Sequence, residues 1–185
     1  LIEEGMLAEL DYGQIPNYTL ISERFKGLTY DPQERYTVPY AWGTVGIIYN
    51  TAKVEGPITS WSAMFDEKYA GNVLMFRNSR DAMATALSYL GYSLNTVDET
   101  ELREAFQLLK DAKSRGVYQS FVMDEIFQKL EGGNAAIGAY YAGDYLTMLE
   151  NNEDLAFVVP EEGSNWFMDA MCVLKDAPHY EEALA

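Results

Sequence analysis

One cysteine and one histidine in 185 residues remove most of the familiar routes to chemistry. Cys172 alone cannot close an internal disulfide, so it leaves the redox compartment open. It lies in a strand-like apolar run, residues 168–174, and is expected to be a small buried residue there. His179, next to Pro178, reads as a surface loop residue rather than a catalyst or ligand. No zinc spacing, P-loop or dinucleotide fingerprint occurs, so neither a metal nor a cofactor is expected. Basic residues are scarce too: 13 against 29 acidic, for a net charge of −16. That excludes nucleic acid as a partner, because its affinity comes from neutralising phosphates with Lys and Arg. It favours cationic partners, although an acidic surface also serves plain solubility. No run approaches the ~18 apolar residues of a membrane span. The opening Leu1-Ile2-Glu3-Glu4 has neither the basic nor the apolar region of a signal segment.

What the chain does have is one long uncharged stretch, Val38-Pro39-Tyr40-Ala41-Trp42-Gly43-Thr44-Val45-Gly46-Ile47-Ile48-Tyr49-Asn50. Its Val, Ile and aromatic content makes it a strand, or two collinear strands, rather than a helix. Glycine inside a strand is costly unless the chain bends or another backbone comes close. Trp42 and Gly43 are therefore read as a hinge where the strand leaves one sheet and enters another. An ordinary central strand with a bulge is the competing reading.

Around that stretch, residues 1–37 hold short pieces with Pro16 and Pro32: a helix tail ending near Gly5, then a polar-aromatic loop. Beyond it, Ser60 is set to cap a short helix. Strands at 72–75, 117–119, 135–139 and 155–158 then alternate with helices at 79–90, 98–113, 124–131 and 143–151. Asp98 and Glu101 form a helix-start signal, and Gly116 and Gly132-Gly133 are stops. Phe106, Ile126 and Leu130 fall at core spacing. Alternation of this kind predicts an α/β layer fold with a mainly parallel sheet flanked by helices. Tyr180-Glu181-Glu182-Ala183-Leu184-Ala185 reads as the opening of a helix.

In open α/β sheets ligands bind beyond the carboxyl ends of the strands. That rule selects the turns at 76–81, 120–124 and 140–145, which bring Asp81, Asp124 and Asp144 together with Tyr140, Tyr141 and Tyr145. The segment Asn165-Trp166-Phe167-Met168-Asp169 adds two aromatics and another carboxylate. Carboxylates interleaved with ring faces suit an aliphatic amine, whose ammoniums take charge-assisted hydrogen bonds while its methylenes lie on the rings. The competing reading is structural, since Asp81 and Asp144 sit where first-turn helix acids are favoured anyway. Arg77 and Arg80 argue for an anion instead if both face inward.

Several motifs in order, Val38-Pro39-Tyr40-Ala41-Trp42-Gly43-Thr44, Tyr49-Asn50, Thr59-Ser60-Trp61, Leu90-Gly91-Tyr92-Ser93-Leu94-Asn95-Thr96 and Glu162-Gly163-Ser164-Asn165-Trp166-Phe167-Met168-Asp169, resemble the spermidine/putrescine-binding proteins. These are the extracytoplasmic receptors of polyamine ABC importers, periplasmic or held at the outer face of the membrane as lipoproteins. The resemblance implies a periplasmic-binding-protein type II lobe with part of a second lobe. Residues 1–42 would be a remnant of the first lobe and its hinge strand, 43–167 the second lobe, and 168–185 the return strand. It also implies a chain shorter than family members, no enzymatic activity, a polyamine ligand held between two lobes, and permease subunits as partners. By that pattern Asn78, Asp81, Tyr141, Phe167 and Asp169 fall at ligand positions. Asn78 stands where the family has an acid, Tyr141 where it has a tryptophan, and Trp166-Phe167 shifts the indole by one place, so Trp166 joins the set. Asp124, Asp144 and Tyr145 are secondary candidates. The alternatives are a receptor for an anion or metal complex, a hydrolase using Asp81 and Asp169, and a structural interaction module.

Overall fold

The structure, a computed structural model describing residues 1–185, forms two compact units: residues 1–42 with 167–185, and residues 43–166. The uncharged stretch supplies strands to both. β1 (Val38–Gly43) and β2 (Val45–Asn50) are separate strands in separate sheets, divided at Thr44.

In the larger unit β2 is buried along its whole length. It is followed by a 3-10 turn at Trp61–Met64, capped by the Ser60 hydroxyl, which accepts from the Ser62 amide at 3.0 Å. Then come β3 (Val73–Phe76), α1 (Ser79–Leu90), α2 (Glu99–Ser114), β4 (Tyr118–Val122), α3 (Glu125–Glu131), β5 (Ile137–Tyr141), α4 (Ala142–Asn151) and β6 (Leu155–Val158). Asp98 caps α2 by accepting from the Thr100 and Glu101 amides, and Gly116 follows its end at φ +73°.

The five-stranded sheet has the order β4-β3-β5-β2-β6. β3 runs parallel to β4 and β5, whereas β2 is antiparallel to both its neighbours. The sheet is therefore mixed. Four strands share a direction and β2, which enters from β1, opposes them. Gly46 shows why a glycine interrupts β2: a Cβ there would overlap the Phe157 ring and the Val158 carbonyl oxygen of β6. The core is continuous across the sheet, with Ile47, Ile48, Val73, Leu74, Met75, Ile126, Leu130 and Ile137 all fully buried.

Two core assignments fail. Phe106 is 59% exposed. On α2 the inward positions are Ala105, Leu109 and Ala112, a narrow stripe that leaves position 106 outside. Cys172 is exposed as well, because it lies just past the end of β7 (Phe167–Met171), which is shorter than the 168–174 run.

The smaller unit contains β1 paired with β7, a bridge between Leu7 and Leu174, short 3-10 turns, and α5 (Tyr180–Leu184). The expected helix tail near Gly5 is a turn, with Gly5 at φ +65°. Its loop at 31–37 is closed by one buried acid. There the buried Asp31 carboxylate accepts from the amides of Arg35, Tyr36 and Thr37 and from the Thr37 hydroxyl.

Candidate functional site

The three parallel strands end at Phe76, Val122 and Tyr141, so their carboxyl ends share one edge of the sheet. All three sequence-selected turns are displaced along the chain: Phe76 closes β3, Ser120–Val122 belong to β4, and Tyr140 and Tyr141 close β5. Strand propensity in Ser-Phe-Val and Tyr-Tyr carries pairing further than the sequence pattern suggests.

Asn78 is the N-cap of α1. Its Oδ1 accepts from the Arg80 amide at 2.9 Å, while its Nδ2 donates to Asp81 Oδ2 at 2.7 Å. The Tyr141 hydroxyl donates to the same Oδ2, also at 2.7 Å. Asp81 is 8% exposed, yet its Oδ1 receives no protein donor and is not sealed from solvent. Burial, and then the bond to Asp81, push the Tyr141 hydroxyl well above its ordinary pKa, so it stays a donor. The three side chains form one network: an anchored carboxylate with one oxygen left over.

Rings surround it. Phe76 lies 5.5 Å from both Tyr140 and Tyr141, and those two are 4.9 Å apart. The Tyr140 hydroxyl donates to Asp124 Oδ1 at 3.2 Å, and Asp144 is close enough to Asp124 to feel its charge. Tyr145 is different. Its hydroxyl reaches the Leu155 carbonyl oxygen at 3.4 Å and its ring stacks on Phe157 at 5.5 Å, a packing role against β6.

The segment leading to Trp166 is fastened to the start of β2. Ser164 Oγ donates to the Val45 carbonyl at 2.6 Å, the Thr44 hydroxyl donates to the Asn165 carbonyl at 2.7 Å, and the Val45 amide donates to Asn165 Oδ1 at 2.8 Å. Val45 is in turn the register partner of Tyr141. Val45, Asp81, Ser164 and Asn165 line a single cavity of about 10 Å³. Trp166, 46% exposed, therefore follows directly on residues that wall the Asp81 network.

Phe167 and Asp169 lie on β7 in the smaller unit. There burial, then Asp31, then Asp169 push the Tyr30 hydroxyl above its usual pKa. Tyr30 is thus an exposed aromatic within electrostatic reach of Asp169 that the sequence pattern missed. Phe76 was also missed as a ring of the cluster. Its position at the last residue of an apolar strand was the available signal.

Arg77 makes a 3.5 Å contact with Glu125 and is largely solvent-exposed, and Arg80 is exposed. No group of three or more His, Cys, Asp or Glu could hold a metal ion.

The architecture is that of the periplasmic binding proteins. It superposes on the spermidine/putrescine ABC transporter substrate-binding protein of Streptococcus pneumoniae with a TM-score of 0.84 at 32% identity, covering 99% of this chain and 56% of that one. It superposes on the TpPotD lipoprotein of Treponema pallidum with a TM-score of 0.90 at 27% identity, covering 99% and 58%. The family model for bacterial extracellular solute-binding proteins matches residues 1–185, and the chain belongs to that family, whose members bind solutes and are not enzymes. It is 31% identical to the putrescine/agmatine-binding protein of Pseudomonas aeruginosa over all of this chain and 55% of that protein. It is 28% identical to the spermidine/putrescine-binding periplasmic protein of Escherichia coli, over 98% and 52%. The chain thus spans about half the length of the curated relatives it matches. No helix is long and apolar enough to cross a membrane.

Proposed function

We propose that these 185 residues are part of the extracytoplasmic substrate-binding component of an ABC importer, that its ligand is a polyamine, and that it hands this ligand to permease subunits. The observation that carries the reading is the Asp81 carboxylate. It is buried, anchored on Oδ2 by Asn78 and the Tyr141 hydroxyl, and open on Oδ1. A fixed carboxylate with one oxygen free accepts a hydrogen bond from an ammonium, and adjacent ring faces accept its methylenes. Trp166 in the same unit, and Phe167 and Asp169 in the other, are proposed as further ligand groups. Asp124 and Asp144 are proposed as a second acidic position, and Trp42-Gly43 as the hinge.

The names of the relatives point the same way, and so does the net charge of −16, which draws cations. The anion reading loses support because Arg77 is engaged by Glu125 rather than presented beside Asp81. Calorimetry of the full-length protein with putrescine, spermidine and spermine tests the proposal. Micromolar or tighter binding of at least one is expected; binding of anions with none to amines would overturn it.

A further inference from the structure

The chain passes between the two units twice, after Trp42 and after Trp166. Just inside the larger unit the two passages are tied to each other. The Thr44 hydroxyl donates to the Asn165 carbonyl at 2.7 Å, the Val45 amide to Asn165 Oδ1 at 2.8 Å, and Ser164 Oγ to the Val45 carbonyl at 2.6 Å. Each side of this clamp has its own footing. The Thr44 carbonyl accepts from the Ala142 amide at 3.0 Å, which fixes it to the start of α4. The Gly163 carbonyl accepts from the indole of the buried Trp61 at 2.8 Å, and the Glu161 amide donates to the Thr59 carbonyl at 2.8 Å. Trp42, the last residue of its segment in the smaller unit, is held as well: its ring stacks on Phe25 at 6.1 Å, and the Arg24 guanidinium lies over both rings. Between the packed Trp42 and the clamped Thr44 stands one residue, and it is a glycine.

We infer that the first passage bends at Gly43 alone, and that Thr44 and Asn165 are positioning residues that make the two passages pivot as one. This rests on the receptor reading above and narrows the hinge proposed there. Glycine reaches φ/ψ regions closed to other residues, so it absorbs a rotation that a clamped Thr44 and a packed Trp42 resist. The clamp also limits how far the free receptor strays from geometries that can close, so less conformational entropy is lost when ligand binds. Trp166 follows Asn165 directly, so the same clamp sets where that proposed ligand ring leaves the larger unit.

Hydrogen exchange, calorimetry and binding kinetics of the full-length protein, with putrescine as the probe, test this. Exchange at the Val45 and Ala142 amides is read relative to that of the buried Ile48, which cancels the general stabilisation a ligand confers. In the wild type that ratio should change less than twofold on saturation, because the clamp stays shut when the receptor opens. Thr44→Val removes the hydroxyl at nearly constant shape. It should make Val45 exchange depend on putrescine and weaken putrescine binding by about threefold to tenfold, the cost of ordering one freed segment. Thr44→Ser restores the hydroxyl and should restore both. Gly43→Val should slow putrescine association by about tenfold, since the pivot must then cross backbone regions that a β-branched residue populates poorly. A merely structural Thr44 would lower Val45 protection equally with and without putrescine and leave affinity alone. Val45 protection that rises more than tenfold over that of Ile48 when putrescine binds the wild type overturns the inference while leaving polyamine binding intact. So does a Gly43→Val variant that associates within twofold of the wild-type rate. Failure of the wild type to bind putrescine, spermidine or spermine overturns both readings.

Discussion

Asp31 and Asp81 are the two acids that solvent hardly reaches, 5% and 8% exposed, and the molecule treats them in opposite ways. Asp31 takes four donors from its own loop, three backbone amides and the Thr37 hydroxyl, all within 3.1 Å. Burial alone would push its carboxyl up, but those donors outweigh burial and hold it below the ordinary carboxylate range. Asp81 takes its two donors from side chains, one of them 60 residues away, and both on the same oxygen. A carboxylate saturated by its own backbone is finished: it shapes a loop and has little left to offer. A carboxylate held from one side only is oriented and still has capacity, which is the arrangement a ligand group requires.

The largest expected effect separates the two. Asp31→Ala leaves three amides and a hydroxyl to find other partners, at a cost of about 3 kcal/mol to the stability of residues 31–37. Hydrogen exchange at the Arg35, Tyr36 and Thr37 amides of the full-length protein should accelerate by about two orders of magnitude. Because the folded pKa of Asp31 is depressed, its contribution is fully present above the unfolded value near 3.9 and is lost as pH falls through the folded one. The same amides should therefore lose protection below about pH 4 in the wild type. Unchanged exchange in the variant would mean that the loop is held by something other than Asp31.

Asp81 should show the reverse. Asp81→Asn keeps the shape but removes the charge, and polyamine affinity should fall about a hundredfold, within the 2–5 kcal/mol typical of breaking a buried charge pair. Stability should change far less, since the carboxylate is only half satisfied by protein. Tyr141→Phe removes one of the two anchoring donors and should cost about fivefold in affinity, close to 1 kcal/mol. If Asp81→Asn instead unfolds the protein while the bound fraction keeps its affinity, Asp81 is a second Asp31.

How far these features could be read from the sequence depends on the range of the interaction involved. Helix ends were legible because capping is local: Asp98, Ser60 and Gly116 act on residues two or three positions away. The bounds of α1 and of β6 follow from periodicity and strand propensity in the same way. The direction of β2 was not legible, since antiparallel pairing depends on where the chain comes from rather than on its own side chains. Phe106 shows the limit of helical spacing: α2, which packs against α1, has apolar residues on more of its circumference than that packing covers. At the candidate site, the turn at 76–81 could be selected from strand order alone. The bond from Tyr141 to Asp81 could not, because nothing local distinguishes an aspartate that caps a helix turn from one gripped across the sheet. Asp31 was passed over for a related reason. An Asp-Pro dipeptide signals a turn, but not that Arg35, Tyr36 and Thr37 will close around its carboxylate.

The smallest expected effect concerns Asp144, a third kind of acid. Burial, and then the neighbouring charge of Asp124, raise its carboxyl pKa, so the folded protein holds this proton more tightly than the unfolded chain does. For an acid raised in this way the ionised form costs stability at neutral pH, and the cost disappears as pH falls below the unfolded value near 3.9. Asp144 sits in the first turn of α4, where the helix N-terminus favours negative charge and offsets part of that cost. Burial and the like charge win, as the direction of the shift shows. Asp144→Asn should therefore raise the melting temperature by about 1–2 °C at pH 7 and leave it unchanged near pH 3.5. Adding putrescine should shrink the gain at pH 7, because an ammonium placed between Asp124 and Asp144 relieves the same repulsion. A gain that persists at pH 3.5 would trace to helix propensity instead. A gain indifferent to putrescine would remove Asp124 and Asp144 from the ligand set and leave Asp81 as the only acid of the larger unit that a ligand reads.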